Sequence, residues 1–252
     1  MGRARHVRHQ PLEETFTDTN ILELKVRHPS EIFSKTFTKP EEGVNGADWE
    51  WWLTDASKSQ WLGFRVQAKV LQFDSNTFAH LHYKSGKSKV YQATKLKRES
   101  AKDGLVPLYC LYLHDQPTSF RQGTLCGTFA HTAEAYGCSL VPLSHIEALQ
   151  KAGETNDFNS VIVGAHPWHC LVCCSGCGGG TLPERAWGFI TSRMGVAVPR
   201  KGNGRNNKSD PQSIGIRVKP PSYVYAIVAG KSTESVPKAI RGVVVVKEAE
   251  GG

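Results

Sequence analysis

Asp48, Gln67 and Lys69 are the residues whose types and spacing could do chemistry. Asp48 opens the run Asp48-Trp49-Glu50-Trp51-Trp52, and Gln67-Ala68-Lys69 lies in the apolar run that begins at Trp61. Strand side chains alternate faces, so Asp48 and Glu50 share one face, as do Gln67 and Lys69. Between the runs lies Asp55-Ala56-Ser57-Lys58-Ser59, a polar, small-residue turn signal. Folded as a hairpin, the segment brings a carboxylate, an amide oxygen and an ammonium to one point. Magnesium or manganese takes hard oxygen ligands and retains several waters, so a few protein ligands suffice. Asp48 supplies the central one, Gln67 a side-chain oxygen and Ala68 a carbonyl. Glu14, with Glu13 as its alternate, completes the set from an upstream helix. Such an ion polarises a phosphoryl oxygen and activates a water. Lys69 then neutralises charge on the scissile phosphate. Each residue also has an ordinary reading: Asp48 bonded to its own backbone, Glu50 facing solvent on an edge strand, Lys69 lying along apolar surface.

Several elements must position these groups. Pro11, two early acids and the apolar residues Phe16, Ile21, Leu22 and Leu24 predict a helix over 11–28, closed by Pro29. A second short helix is expected at 30–38, then strands at 48–53 and 61–71 and an irregular stretch at 72–88. Residues 89–102 carry helical spacing, with Gly104 as the stop. Residues 105–113 (LVPLYCLYL) read as a strand buried on both faces. The order helix, strand, strand, helix, strand predicts an α/β fold with a mixed sheet. Further on, helices are expected at 127–137 and 143–151 and a strand at 138–141. Residues 159–163 and 169–174 read as apolar segments, with 171–174 also as a buried strand, and 223–228 and 242–247 as late strands. A glycine-, asparagine- and lysine-rich stretch at 200–211 predicts a mobile basic loop.

A glutamate on a first helix, an aspartate on a strand and (Glu/Asp/Gln)-x-Lys on the next strand resembles the PD-(D/E)XK nuclease superfamily. Glu14, Asp48, Gln67 and Lys69 stand in that order. The Gln-x-Lys form is similar to Mrr-like restriction endonucleases, with glutamine in place of the usual acid. The wider chain resembles an uncharacterised bacterial family that shares the Gly-Ala-Asp-Trp-Glu-Trp-Trp, Gln-Ala-Lys and Pro-Leu-Tyr-Cys-Leu-Tyr segments. The nuclease pattern covers about 11–115 and the longer resemblance about 11–175. It implies a restriction-endonuclease-like mixed sheet flanked by helices, catalysis by Glu14, Asp48, Gln67 and Lys69, and a magnesium or manganese ion on Asp48, Gln67 and Glu14. DNA, or else RNA, is the implied substrate, a homodimer an implied assembly, and bacterial anti-phage defence an analogy. Residues 1–10 then form a flexible basic arm, 11–175 the core, and 176–252 a C-terminal extension packed on it.

Charge agrees with a polyanionic partner. The 252 residues carry 31 Lys and Arg against 23 Asp and Glu, a net +8. Gln92, Lys95, Arg98 and Lys102 recur at helical steps as a mostly basic stripe for phosphates; a plain solvated helix face has the same pattern. No run of 18 or more apolar residues suggests a membrane span. No secretory h-region follows the basic N-terminus, which with unpaired cysteine usage points to a reducing cytoplasm. No G-x-x-x-x-G-K-[ST] loop is present, which excludes P-loop nucleotide hydrolysis. Cys170, Cys173, Cys174 and Cys177, preceded by His166 and His169, give a rival chemistry: zinc, or else small buried hydrophobes. Two other functions therefore stand beside the nuclease: a non-catalytic module of the same fold that binds nucleic acid or protein, and a zinc-stabilised interaction protein.

Overall fold

The Trp-rich hairpin is the centre of a seven-stranded mixed sheet in the computed structural model. The structure describes residues 4, 6–37, 47–85, 89–114, 134–173, 178–197, 214–232 and 240–250. Helix α1 (Glu13–Arg27) leads into β1 (Ile32–Thr36), β2 (Trp49–Thr54) and β3 (Trp61–Val70). Helix α2 (Gln92–Asp103) and β4 (Val106–Tyr112) follow. Then come β5 (Cys138–Pro142), α3 (Leu143–Lys151), α4 (Phe158–Ile162) and β6 (His166–Pro167). Helices α5 (Cys170–Cys173), α6 (Leu182–Ser192) and α7 (Ser222–Val228) precede β7 (Gly242–Lys247). The spatial order is β1-β7-β2-β3-β4-β5-β6. The β7/β2 and β3/β4 pairs are parallel and the others antiparallel. A mixed α/β architecture is thus present as expected.

Both faces of the sheet are covered. Trp49, Trp51, Leu53, Phe64, Val66 and Ala68 lie against Phe16, Ile21 and Leu24 of α1 and the apolar side of α6. On the opposite face, Tyr109, Leu111 and Val141 meet α2, α3 and α4. Trp52, Trp61, Val243 and Val245 meet α7 there. Leu108, Cys110 and Tyr112 point one way and Tyr109, Leu111 and Leu113 the other, so the 105–113 run is buried on both sides. Gly63 allows the tight stacking at the hairpin: an added Cβ would stand 2.8 Å from the Trp52 ring. The turn forms as its residues suggest, with Asp55 accepting from Ser57 Oγ, from Ser59 Oγ (2.9 Å) and from Gln60 N (2.7 Å). Gly104 closes α2 at φ 63°.

Four expectations need correction. The second helix expected at 30–38 is instead strand β1, whose Ile32 and Phe33 register against Val246 and Val245; non-local pairing outweighs a local periodic pattern there. Residues 223–228 form α7, packed against the sheet through Val224 and Ile227, because a short apolar run does not itself distinguish helix from strand. Of the strand expected at 171–174, residues 171–173 belong instead to a single helical turn, Cys170–Cys173, and Cys174 falls outside the described residues. The C-terminal segment is no extension laid on a finished core: β7 is an interior strand between β1 and β2, and α6 closes one face. That helix opens with the capping box Thr181-Leu182-Pro183-Glu184. The loop at 200–211 and most of the helix expected at 127–137 fall outside the described residues. No described helix is long and apolar enough to cross a membrane.

Candidate active site

Asp48 sits one residue before β2, and the register Trp49↔Val66 sets it beside Gln67. Its backbone N–H donates to Val66 O at 2.9 Å. Its Oδ2 accepts from Ala68 N at 3.0 Å and from Gln67 Nε2. Lys69, two residues beyond Gln67, is only 8% exposed. Its charge acts on Asp48, Glu13 and Glu14, so all three carboxyls and the ammonium share one locale.

The two glutamates of α1 take different places. Glu13 is the one turned toward Asp48, with which it shares a hydrogen bond. Burial pushes the Glu13 carboxyl up to about 8, Asp48 adds to the rise, and Lys69 opposes it. Burial raises Asp48 also, against the pull of Lys69. Glu14 accepts from Arg241 at 2.6 Å and its side chain is 42% exposed. Burial works against ionisation of Glu14, but its own backbone bond and Arg241 outweigh that and hold it below the usual range. The order expected for the pair is therefore reversed: Glu13 faces the cluster and Glu14 is held at its rim.

Gln67 also differs from its expected part. Its amide nitrogen donates to Asp48 and to Ala68 O (3.0 Å), while its oxygen accepts from Gln92 Nε2 at the start of α2. In this arrangement Gln67 positions Asp48 rather than offering an oxygen beside it. Gln92 Oε1 and Tyr109 Oη, both buried, have no hydrogen-bond partner among the described residues. Tyr109 pairs with Gln67 across β3/β4, and its phenol is raised by burial and by Asp48. A polar niche with unsatisfied oxygens is a place for water or a ligand.

Arg241 has no counterpart in the sequence reading. It directly precedes β7; its N–H donates to Asp48 O at 2.7 Å, and its guanidinium lies 3.6 Å from Asp48 Oδ1. Only the insertion of β7 beside β2 brings it there. Glu50, one alternation along from Asp48, is not on a solvent face. It is wholly buried, bonded to Arg65 at 2.6 Å and to the Tyr223 hydroxyl.

The basic stripe on α2 is less free than its spacing implies. Gln92 turns into the site. Arg98 and Lys102 remain largely exposed, yet both pair with Glu99 at 2.8 Å. Lys95 is half-buried. Of the expected zinc thiols, Cys170 and Cys173 are described, while Cys174 and Cys177 lie outside the described residues.

The Glu13–Asp48 pair has a sign that can be measured. Between an ordinary glutamate value of 4.5 and about 8, the folded chain holds a proton on Glu13 that the unfolded chain has released. Unfolding then releases a proton, so this group's stabilising contribution is complete below 4.5 and is lost as pH rises through 8. In cation-free protein, Glu13→Gln is expected to be more stable than the parent at pH 9 by at least about 2 kcal/mol, and nearly equal at pH 4. Urea unfolding at both pH values checks this; a variant equally destabilised at each would contradict it.

What this set can hold follows from its donors. The Asp48 and Glu13 carboxylates and the Ala68 carbonyl are hard oxygens in one buried niche, fit for a small divalent cation. A cation there would also offset the burial and the neighbouring Asp48 charge that keep Glu13 protonated.

The chain belongs to the family described as "Family of unknown function (DUF6615)", which matches residues 1–252. No curated protein and no solved structure matches it.

Proposed function

We propose that this family member is a magnesium- or manganese-dependent nuclease that hydrolyses phosphodiester bonds, with DNA as the favoured substrate and RNA the alternative. One observation carries the reading: two mutually perturbed carboxyls, Glu13 and Asp48, share a niche with the buried ammonium of Lys69. A structural ion pair needs one acid for one lysine. A second acid held protonated by burial costs stability, and such costs concentrate at working sites. The helix–hairpin–helix–strand frame, with α2 crossing between the parallel strands β3 and β4, supports a restriction-endonuclease-like core.

Asp48, Glu13 and the Ala68 carbonyl would hold the cation. When bound, it supplies Lewis-acid polarisation of a phosphoryl oxygen and a water of lowered pKa. Gln67 and the Ala68 N–H fix the Asp48 carboxylate. Arg241 pairs with Glu14 and lies beside Asp48, restraining both. Lys69 places a positive charge where the scissile phosphate gains negative charge in the transition state. Burial pushes the Glu13 carboxyl up to about 8 without the cation, so its proton would be released when the cation binds. Arg98 and Lys102, on the α2 surface, offer charge to flanking phosphates once Glu99 is displaced. A cytoplasmic setting, a homodimer and anti-phage defence belong to the same proposal by analogy.

The test is cleavage of supercoiled plasmid, single-stranded DNA and RNA with magnesium or manganese. Cutting that stops with EDTA, returns with excess magnesium and disappears in Lys69→Met supports the reading. Salt-dependent binding with no cutting under any divalent ion would replace it with the non-catalytic module.

A further inference from the structure

We propose that His169, Cys170 and Cys173 form a zinc site, separate in chemistry and place from the carboxylate niche. One ligand atom from each of the three lies within 4.8 Å of the others. Zinc binds thiolate sulfur at about 2.3 Å and imidazole nitrogen at about 2.0–2.1 Å, in tetrahedral geometry. Ligand atoms around such an ion stand roughly 3.4–3.8 Å apart. The observed spread is wider by about 1 Å, so the side chains would draw together around an ion.

The backbone already holds the required shape. Cys170 and Cys173 are three residues apart on the single turn of α5, hence on one side of it. His169 directly precedes that turn, and its carbonyl accepts from Val172 N and Cys173 N at 2.9 Å each. The turn is anchored from both directions. Cys170 and Leu171 are buried in the core. The Trp168 backbone N–H donates to Cys138 O at 2.9 Å, and its ring lies tilted by 41° against Trp51 of β2 at 5.4 Å between centroids.

The donor types select the metal. Two thiolates and an imidazole suit zinc, whereas magnesium and manganese prefer the oxygens of Asp48 and Glu13. Two thiolates also neutralise the charge of a divalent ion, which suits a half-buried place. Neighbouring candidates drop out on geometry. His166 is turned edge-on to Phe189 at 5.5 Å. Cys110 and Cys138 face each other at 3.4 Å. Cys174 and Cys177 lie outside the described residues and form no part of this set.

The consequence is mechanical. His169 and Cys173 border a cavity of about 670 Å³ between α1, α5 and the sheet, lined also by Leu24, Trp51, Leu53 and Trp168. An ion there would fix the single turn of α5, next to the Trp168 ring that lies against Trp51 of β2. Uptake replaces two thiol protons by the metal, so zinc binding releases about two protons and weakens at low pH.

Full-length protein, purified without chelator, is expected to contain about one zinc per chain. Replacement by cobalt should give thiolate-to-cobalt charge-transfer absorption, lost in Cys173→Ser and weakened in His169→Ala. Asp48→Asn should retain the zinc, which separates this site from the nuclease reading. Because Cys170 is buried and its variants risk misfolding, the parent protein supplies a second measurement. Alkylation mapped by mass spectrometry should find the half-buried Cys173 protected with zinc and modified after chelation. Protein that neither carries zinc nor binds cobalt, or Cys173 alkylated equally with and without zinc, overturns the proposal.

Discussion

Asp48→Asn is expected to fold like the parent and to cleave DNA at least about 10²–10³-fold more slowly, the scale of loss when one preorganised electrostatic group is removed from a site. The amide keeps the size of the side chain and one oxygen to accept from Ala68 N. It removes the negative charge that Lys69 and Arg241 act on and that a divalent ion needs. The fold should survive because Asp48 directly precedes β2 and is no member of the apolar clusters. Two measurements separate chemistry from stability. Circular dichroism and thermal unfolding should match the parent in EDTA. Magnesium or manganese should raise the melting temperature of the parent and not of the variant, since an ion stabilises only the state that binds it. A variant that cuts within about threefold of the parent at equal metal removes Asp48 from any catalytic part.

Glu50→Ala is expected to be the most damaging change outside the site, with a loss of about 3–5 kcal/mol, the range for breaking a buried ion pair from one side. Glu50 has no exposure and bonds Arg65 at 2.6 Å, Trp52 Nε1 at 3.4 Å and the Tyr223 hydroxyl. Removing it strands Arg65, itself buried, with Asp103 at 2.7 Å as its one remaining counter-charge among the described residues. It also leaves the Tyr223 phenol without that acceptor. Against a typical total of about 5–15 kcal/mol this is a large fraction. The melting temperature should fall by roughly 10 °C. The double replacement Glu50→Leu with Arg65→Met should recover part of the loss, because no charge is then buried without a partner. A single variant within about 1 kcal/mol of the parent would show the network to be solvated rather than sealed.

These two acids, two residues apart on one strand, show what a sequence conveys and what it does not. Alternation along a strand is a local rule, so the common side of Asp48, Gln67 and Lys69 could be read from spacing and a turn signal. The double-sided burial of 105–113 and the stop at Gly104 were legible for the same reason: each depends on a few neighbouring residues. The α/β class followed from the order of such elements. The sequence did not show that Glu50 would meet Arg65 in the interior. That needed β7 on one side of β2 and α7 over the face, both contributed by residues far along the chain.

The choice between Glu13 and Glu14 was equally non-local. Neighbouring helical residues point about 100° apart, and composition does not set the rotation of a helix against a sheet. Docking sets it: Phe16, Ile21 and Leu24 enter the core and Thr17 bonds the Tyr112 hydroxyl at 2.7 Å, which turns Glu13 toward Asp48 and leaves Glu14 to Arg241. Arg241 itself had no signal beyond the valine run after it, which marks a strand but not its partner. Residue types and short spacings thus determined which groups one hairpin carries. Only packing between distant segments decided which acid joins them and which charges are sealed inside, because helix phase and strand neighbours depend on burial across the whole chain.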